Sequence, residues 1–175
     1  MLLSDEAHTH MNNSDPAPQN ENALQAFTTL EQFLNDDGWY PQRIGDKSVL
    51  RVGFAGQNGQ LTCFAFIFAD YEQFLFYVIA PIKVPADVRP MVSEFVTRAN
   101  YGLRIGNFEM DFSDGELRYK TSLDFEGERL TAGLVKNTIY PAVQTMDRYL
   151  PGLMSVIHGD KSPAEAVAEI VGGYE

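Results

Sequence analysis

Asp114-Gly115 constrains this chain more than any other dipeptide in it. A type I′ hairpin turn needs positive φ at both central positions, and Asp followed by Gly tolerates that best. With the turn centred there, Phe112 faces Leu117, Met110 faces Tyr119 and Phe108 faces Thr121. On the reverse side Asp111 faces Arg118 and Glu109 faces Lys120. One face is then apolar and the other carries two opposite-charge pairs, each contributing about 0.2–1 kcal/mol. A one-residue slip would exchange the two faces. Gly106 to Phe125 is therefore expected as an antiparallel hairpin.

The same reasoning orders the rest of the chain. Residues 1–21 are rich in Asn, Asp, Pro, Gln and Ser and are expected as a disordered tail, with His8 and His10 in it. Ala23, Ala26, Phe27, Leu30, Phe33 and Leu34 form a helical stripe over Ala23–Asn35. Trp39, Tyr40 and Ile44 suggest a short strand that Pro41 consigns to a sheet edge. Val49–Phe54, Leu61–Ala69 and Phe74–Ala80 read as three further strands. A turn at Asn58-Gly59 pairs Phe54 with Cys63, Val52 with Ala65 and Leu50 with Ile67. A loop centred on Tyr71-Glu72 pairs Ile67 with Phe76 and Ala65 with Val78. Asp87 is expected to cap a helix that buries Val88, Val92, Phe95 and Ala99, with Asn100 and Gly102 ending it. From Thr131 a longer helical region turns Leu134, Val135, Thr138, Ala142, Met146, Tyr149, Leu150, Leu153 and Ile157 inward. Pro141 and Pro151 should kink or split it. Ser162-Pro163-Ala164-Glu165 is a capping box that opens a short last helix.

The predicted organisation is a tail (1–21), one α+β domain (22–160) and a short C-terminal helix and tail (161–175). Strands come in runs rather than alternating with helices. That points to an antiparallel sheet packed with helices, in the order α-β-β-β-β-α-β-β-α-α, and away from a doubly wound nucleotide fold.

One sheet face has small residues opposite large ones and suits a core. The other carries Phe64, Phe66 and Phe68, paired in this register with Ile79, Tyr77 and Leu75, beside Arg51 and Gly53. Aromatic side chains bury about 150–250 Å² each. A patch of that kind exceeds the roughly 400 Å² that a monomer should expose. Covering about 600 Å² is worth on the order of 10–15 kcal/mol as an upper bound. These six residues form the candidate protein-interaction surface, to be covered by a helix of the same chain, a second copy or a client.

Thirteen Lys and Arg against 24 Asp and Glu give a net charge of −11 and no basic cluster, which argues against nucleic acid and anionic membrane as partners. No stretch approaches the roughly 18 apolar residues of a membrane span, and Met1-Leu2-Leu3 runs straight into Ser4, Asp5 and Glu6, unlike a signal peptide. Cys63 is the single cysteine, so no disulfide or multi-cysteine metal site can form within the chain. It reads as a small core residue, consistent with a reducing cytoplasm. There is no glycine-rich phosphate loop, no Gly-x-Ser-x-Gly and no His-Glu-x-x-His. Asp111 to Glu116 has the wrong spacing for a calcium loop. His158 falls at a helix C-terminus, where a cation meets the negative dipole end. Asp36, Asp37, Asp70, Glu72 and Glu94 are carboxylates that no spacing brings together. No catalytic, cofactor-binding or metal-binding residue is expected.

Asn100-Tyr101, Gly106-Asn107-Phe108-Glu109, Asp114-Gly115-Glu116-Leu117-Arg118-Tyr119-Lys120-Thr121-Ser122-Leu123 and Asp147-Arg148-Tyr149-Leu150-Pro151 together resemble the YbjN family over roughly residues 23 to 160. The resemblance implies an α+β fold similar to type III secretion chaperones, which are small, acidic, dimeric proteins that bind clients through apolar surface. It also implies a link to sensory transduction or stress regulation, and it supplies no catalytic residues. The expected function is that of a non-enzymatic cytoplasmic binding protein, a homodimer or a binder of a client protein. The alternative is a small-ligand sensor with a pocket between the sheet and the C-terminal helix kinked at Pro141. A hydrolase would need a carboxylate or His158 placed beside another polar group in a cleft.

Overall fold

The structure is a computed structural model and describes residues 21–45 and 48–173. Its elements are α1 (Glu21–Asp36), β1 (Gln42–Arg43), β2 (Val49–Ala55), β3 (Gln60–Phe68), β4 (Gln73–Ile79), α2 (Arg89–Gly102), β5 (Asn107–Met110), β6 (Leu117–Asp124), α3 (Ala132–His158) and α4 (Pro163–Gly172), with a 3₁₀ turn at Ala69–Tyr71. This is the expected α+β order. The strands form one six-stranded antiparallel sheet, β1-β2-β3-β4-β6-β5. The tail expected over residues 1–21, with His8 and His10, lies outside the described residues except for Glu21, where α1 begins.

Burial alternates strictly along β3 and β4. Leu61, Cys63, Ala65, Ile67, Phe74, Phe76 and Val78 point into a core shared with α1, α2 and α3. α4 lies outside this layer, against α2 and α3, where Gly152 admits Ile170. Burial pushes the Cys63 thiol up to about 12, which leaves it an inert core group.

All three predicted hairpin registers are displaced by two residues. Phe54 faces Leu61 and Val52 faces Cys63. Ala65 faces Phe76 and Ile67 faces Phe74, so Phe64, Phe66 and Phe68 oppose Tyr77, Leu75 and Gln73. Met110 faces Leu117, Phe108 faces Tyr119 and Glu109 faces Arg118. A shift of two keeps every side chain on its face, which is why the predicted core survives.

The reason lies in the turns. The β5–β6 connection is a four-residue loop closed by Gly115 N donating to Asp111 O at 2.8 Å. Asp111 Oδ1 accepts from Ser113 N at 2.7 Å, and Gly115 takes φ +77°. The β2–β3 turn spans Gly56 to Gly59 with Gln57-Asn58 at its tip, because α3 holds it there. Asp147 Oδ2 accepts from Gln57 N at 3.0 Å and Oδ1 from Asn58 N at 2.8 Å.

Two further expectations are corrected. Asp87 does not cap α2; the cap position is Val88, without a side-chain hydrogen bond. Neither proline splits α3, which runs unbroken through both. Pro151 is exposed, and Pro141 lies half-buried at the cleft described below. Pro151 removes the donor that would serve the Asp147 carbonyl, and Asn58 Nδ2 replaces it at 3.0 Å. Leu134 is exposed rather than inward, with its N–H donating to the Thr131 cap.

Candidate interaction surface

Because α1, α2 and α3 share one side, no helix of the described residues lies on the other side of the sheet. The structure places Phe64, Phe66, Phe68, Leu75, Tyr77 and Ile79 together on it. Five are half-buried and Phe68 is 41% exposed. They shield one another edge to edge, so the exposed remainder is smaller than six isolated side chains would give. Phe66 stacks on Phe68 with centroids 6.0 Å apart and meets Tyr77 edge-on at 5.6 Å. Val49, which the sequence reading left aside, faces the same way opposite Phe66 and is buried there. Its alternation with Arg51 was the available signal.

The surface has a charged border. The Arg118 guanidinium lies 4.0 Å from the Tyr77 ring centre. Glu109 accepts from Arg118 Nη2 at 2.9 Å and from Lys120 Nζ. Burial pushes the Glu109 carboxyl up, but these two cations hold it below the ordinary glutamate range. Arg51 borders the opposite side, on β2.

The remaining candidates stay apart. Asp37 accepts from Tyr140 Oη at 2.6 Å and Trp39 Nε1 at 2.9 Å. Glu72 accepts from Gly127 N, Glu94 pairs with Arg98, and His158 is exposed in the last turn of α3. Among the described residues no three His, Cys, Asp or Glu are placed to hold a metal ion. Nor is any helix of the described residues long and apolar enough to cross a membrane. A cleft of about 750 Å³ next to Pro141 lies between the β2–β3 turn and α3 and is lined by Phe54, Gln57, Asn58, Gln144, Thr145 and Arg148 among others.

The motif residues hold backbone. Asn100 Oδ1 accepts from Phe108 N at 2.8 Å while its Nδ2 donates to Phe108 O at 3.1 Å, so the end of α2 grips β5. The sequence profile of the YbjN family, described as "Putative bacterial sensory transduction regulator", matches residues 27–154. The chain belongs to the YbjN family. The Asn100 grip, the Asp114-Gly115 loop and the Asp147 clamp all fall within that YbjN match, whereas α4 follows it. Among solved structures, a chain of the ExsC-ExsE complex is similar at 14% identity with TM-score 0.51, over 74% of this chain and 93% of that one. YbjN from E. coli is similar at 13% identity with TM-score 0.51, over 76% and 90%. A chain of the HopA1-SchA chaperone-effector complex aligns at 15% identity with TM-score 0.43, over 79% and 94%. At these identities the likeness is one of fold. No curated protein matches.

Proposed function

We propose that this YbjN-family chain is a non-enzymatic, cytoplasmic binding and regulatory protein that works by contact. It engages a protein surface through Phe64, Phe66, Phe68, Leu75, Tyr77 and Ile79, as a homodimer or with a client polypeptide. The observation that carries the reading is an aromatic sheet face on which no helix of the described residues packs. The fold likeness to a chain crystallised in complex with another protein, ExsC-ExsE, supports it. Light scattering on the full chain tests it. The expected result is a mass of twice the 19.6 kDa chain, or a monomer that binds the apolar dye ANS. Phe66→Asp, at a half-exposed position, should keep the circular dichroism of the wild type and lose the dimer or the dye. A wild-type monomer that binds no dye and is unchanged by Phe66→Asp would overturn the proposal.

A second reading, a small-ligand sensor, is favoured by the cleft of about 750 Å³ beside Pro141. A metabolite that raises the melting temperature of the wild type but not of Gln144→Trp supports it. A metabolite screen without any such shift counts against it.

A further inference from the structure

Asn58-Gly59 is the single Asn-Gly dipeptide of the chain, and it sits in the β2–β3 turn that α3 holds in place. An asparagine followed by glycine carries its own electrophile and nucleophile. The carboxamide carbon and the next backbone nitrogen can close a five-membered ring, and glycine has no Cβ to hinder the approach. Asn58 is exposed. Gly56 N donates to Gly59 O at 2.9 Å across the turn, whereas among the described residues the Gly59 N–H donates to no backbone carbonyl. The nitrogen that must attack is therefore not committed to the hydrogen bond that closes the turn.

Asp147 holds the asparagine off this path. Asn58 N donates to Asp147 Oδ1 at 2.8 Å, and Asn58 Nδ2 donates to Asp147 O at 3.0 Å and lies 3.4 Å from Asp147 Oδ2. Ring closure needs the carboxamide to swing toward Gly59 N and give up the Asp147 carbonyl. That carbonyl has no donor from its own helix, since Pro151 stands where the partner would be. The same contacts decide what the product does. At neutral pH a carboxylate at position 58 accepts and cannot donate. It would set an oxygen against the Asp147 carbonyl and a second negative charge beside the Asp147 carboxylate, in a chain already at −11. The isoaspartate form also adds one carbon to the main chain, which the 2.9 Å closure of the turn does not accommodate.

We infer that Asn58 is a self-modifying deamidation site, held unreactive by the Asp147 clamp, and that its reaction releases the β2–β3 turn from α3. Gly59 N bonds to Asn58 Cγ and the Cγ–Nδ2 bond breaks. Ammonia leaves with the Gly59 amide proton. Water then opens the resulting succinimide at either carbonyl, giving aspartate or isoaspartate. Water is the only other reactant, and the turn gains one negative charge. Opening the ring does not return the amide, so the change is one-way and marks molecules whose clamp has opened. Gln57 and Asn58 line the cleft beside Pro141 together with Gln144 and Arg148, so the reaction loosens one wall of that cleft.

The test incubates the full chain at pH 8 and follows deamidation at Asn58 by mass spectrometry of proteolytic fragments. Wild type is compared with Asp147→Ala, Gly59→Ala and Asn100→Ala, each checked by circular dichroism to be folded at the incubation temperature. Where Asp147→Ala does not stay folded, Asp147→Asn, which keeps one acceptor, takes its place. Gly59→Ala hinders the attack, and its Cβ would meet only the Leu150 Cδ2 end at 2.9 Å. Asn100→Ala weakens the fold at β5 and leaves the clamp intact, which separates clamp loss from general destabilisation. The expected result is about tenfold faster reaction in Asp147→Ala, the factor that one such hydrogen bond is worth. Asn100→Ala should react at the wild-type rate and Gly59→Ala far more slowly. Asn58→Asp, made directly, should have a lower urea midpoint than wild type. Equal rates in wild type and Asp147→Ala, or the same acceleration in Asn100→Ala, overturns the gating by Asp147. Absence of the modification in Asp147→Ala overturns the site itself. A wild-type midpoint in Asn58→Asp overturns the release of the turn.

Discussion

Asp147 joins the last long helix to the first hairpin, and its removal should be costly in a way that can be worked out. Asp147 is 9% exposed, and its carboxylate accepts the N–H groups of Gln57 and Asn58. Hydrogen bonds to a charged group contribute about 1.5–3 kcal/mol each. Gln57 and Asn58 sit at a turn tip that water can reach once the carboxylate is gone, so Asp147→Ala should lose about 2–4 kcal/mol rather than the full sum. With a urea slope of about 2 kcal/mol/M the midpoint falls by about 1–2 M. The partner variant is Gly56→Ala. A Cβ there would lie 2.1 Å from Asp147 Oδ1 and 2.5 Å from Cγ, so the carboxylate could make room only by giving up the Gln57 and Asn58 N–H groups. Overpacking of that kind costs about 1–3 kcal/mol. In an Asp147→Ala background the obstacle is absent, so the second substitution should cost much less. The double-mutant cycle should therefore show a coupling of at least about 1 kcal/mol. Additivity within about 0.5 kcal/mol would refute the argument that α3 sets this turn.

Asn100→Ala should destabilise by about 1–3 kcal/mol, since Phe108 loses partners for both backbone groups. It should also produce concentration-dependent association in light scattering as the β5 edge opens, and a monodisperse variant would sink that part. Cys63 should not react with a thiol reagent at pH 8 in the native state and should react fully in denaturant; rapid native labelling would contradict its burial. Asp37 is held below its usual value by hydrogen bonds from Tyr140 and then Trp39. Its folded-state pKa is depressed, so its contribution is present above the unfolded value of 3.8 and is lost as pH falls through the folded value. Tyr140→Phe should flatten the fall in urea midpoint below pH 4. An unchanged profile would show that the Tyr140 hydrogen bond does not couple to folding.

Binary patterning alone decided much of this protein. Alternation along β3 and β4 assigned Cys63, Ala65, Phe76 and Val78 to the core face and Phe64, Phe66 and Tyr77 to the other, because a side-chain period of two has only two outcomes. Helical stripes and the Ser162 capping box likewise gave α1 and α4 close to their true limits. Pairing by two-residue turns did not hold. A shift of two residues keeps every face, so the pattern could not separate neighbouring even registers. A contact distant in sequence chose in the first hairpin, where Asp147 fixed Gln57-Asn58 at the tip, and a local one chose in the last, where Asp111 folded back on its own loop. The same limit hid Asn100 as the residue that pairs both backbone groups of Phe108. Which backbone groups remain unpaired depends on where the neighbouring strand stops, and only the assembled sheet determines that.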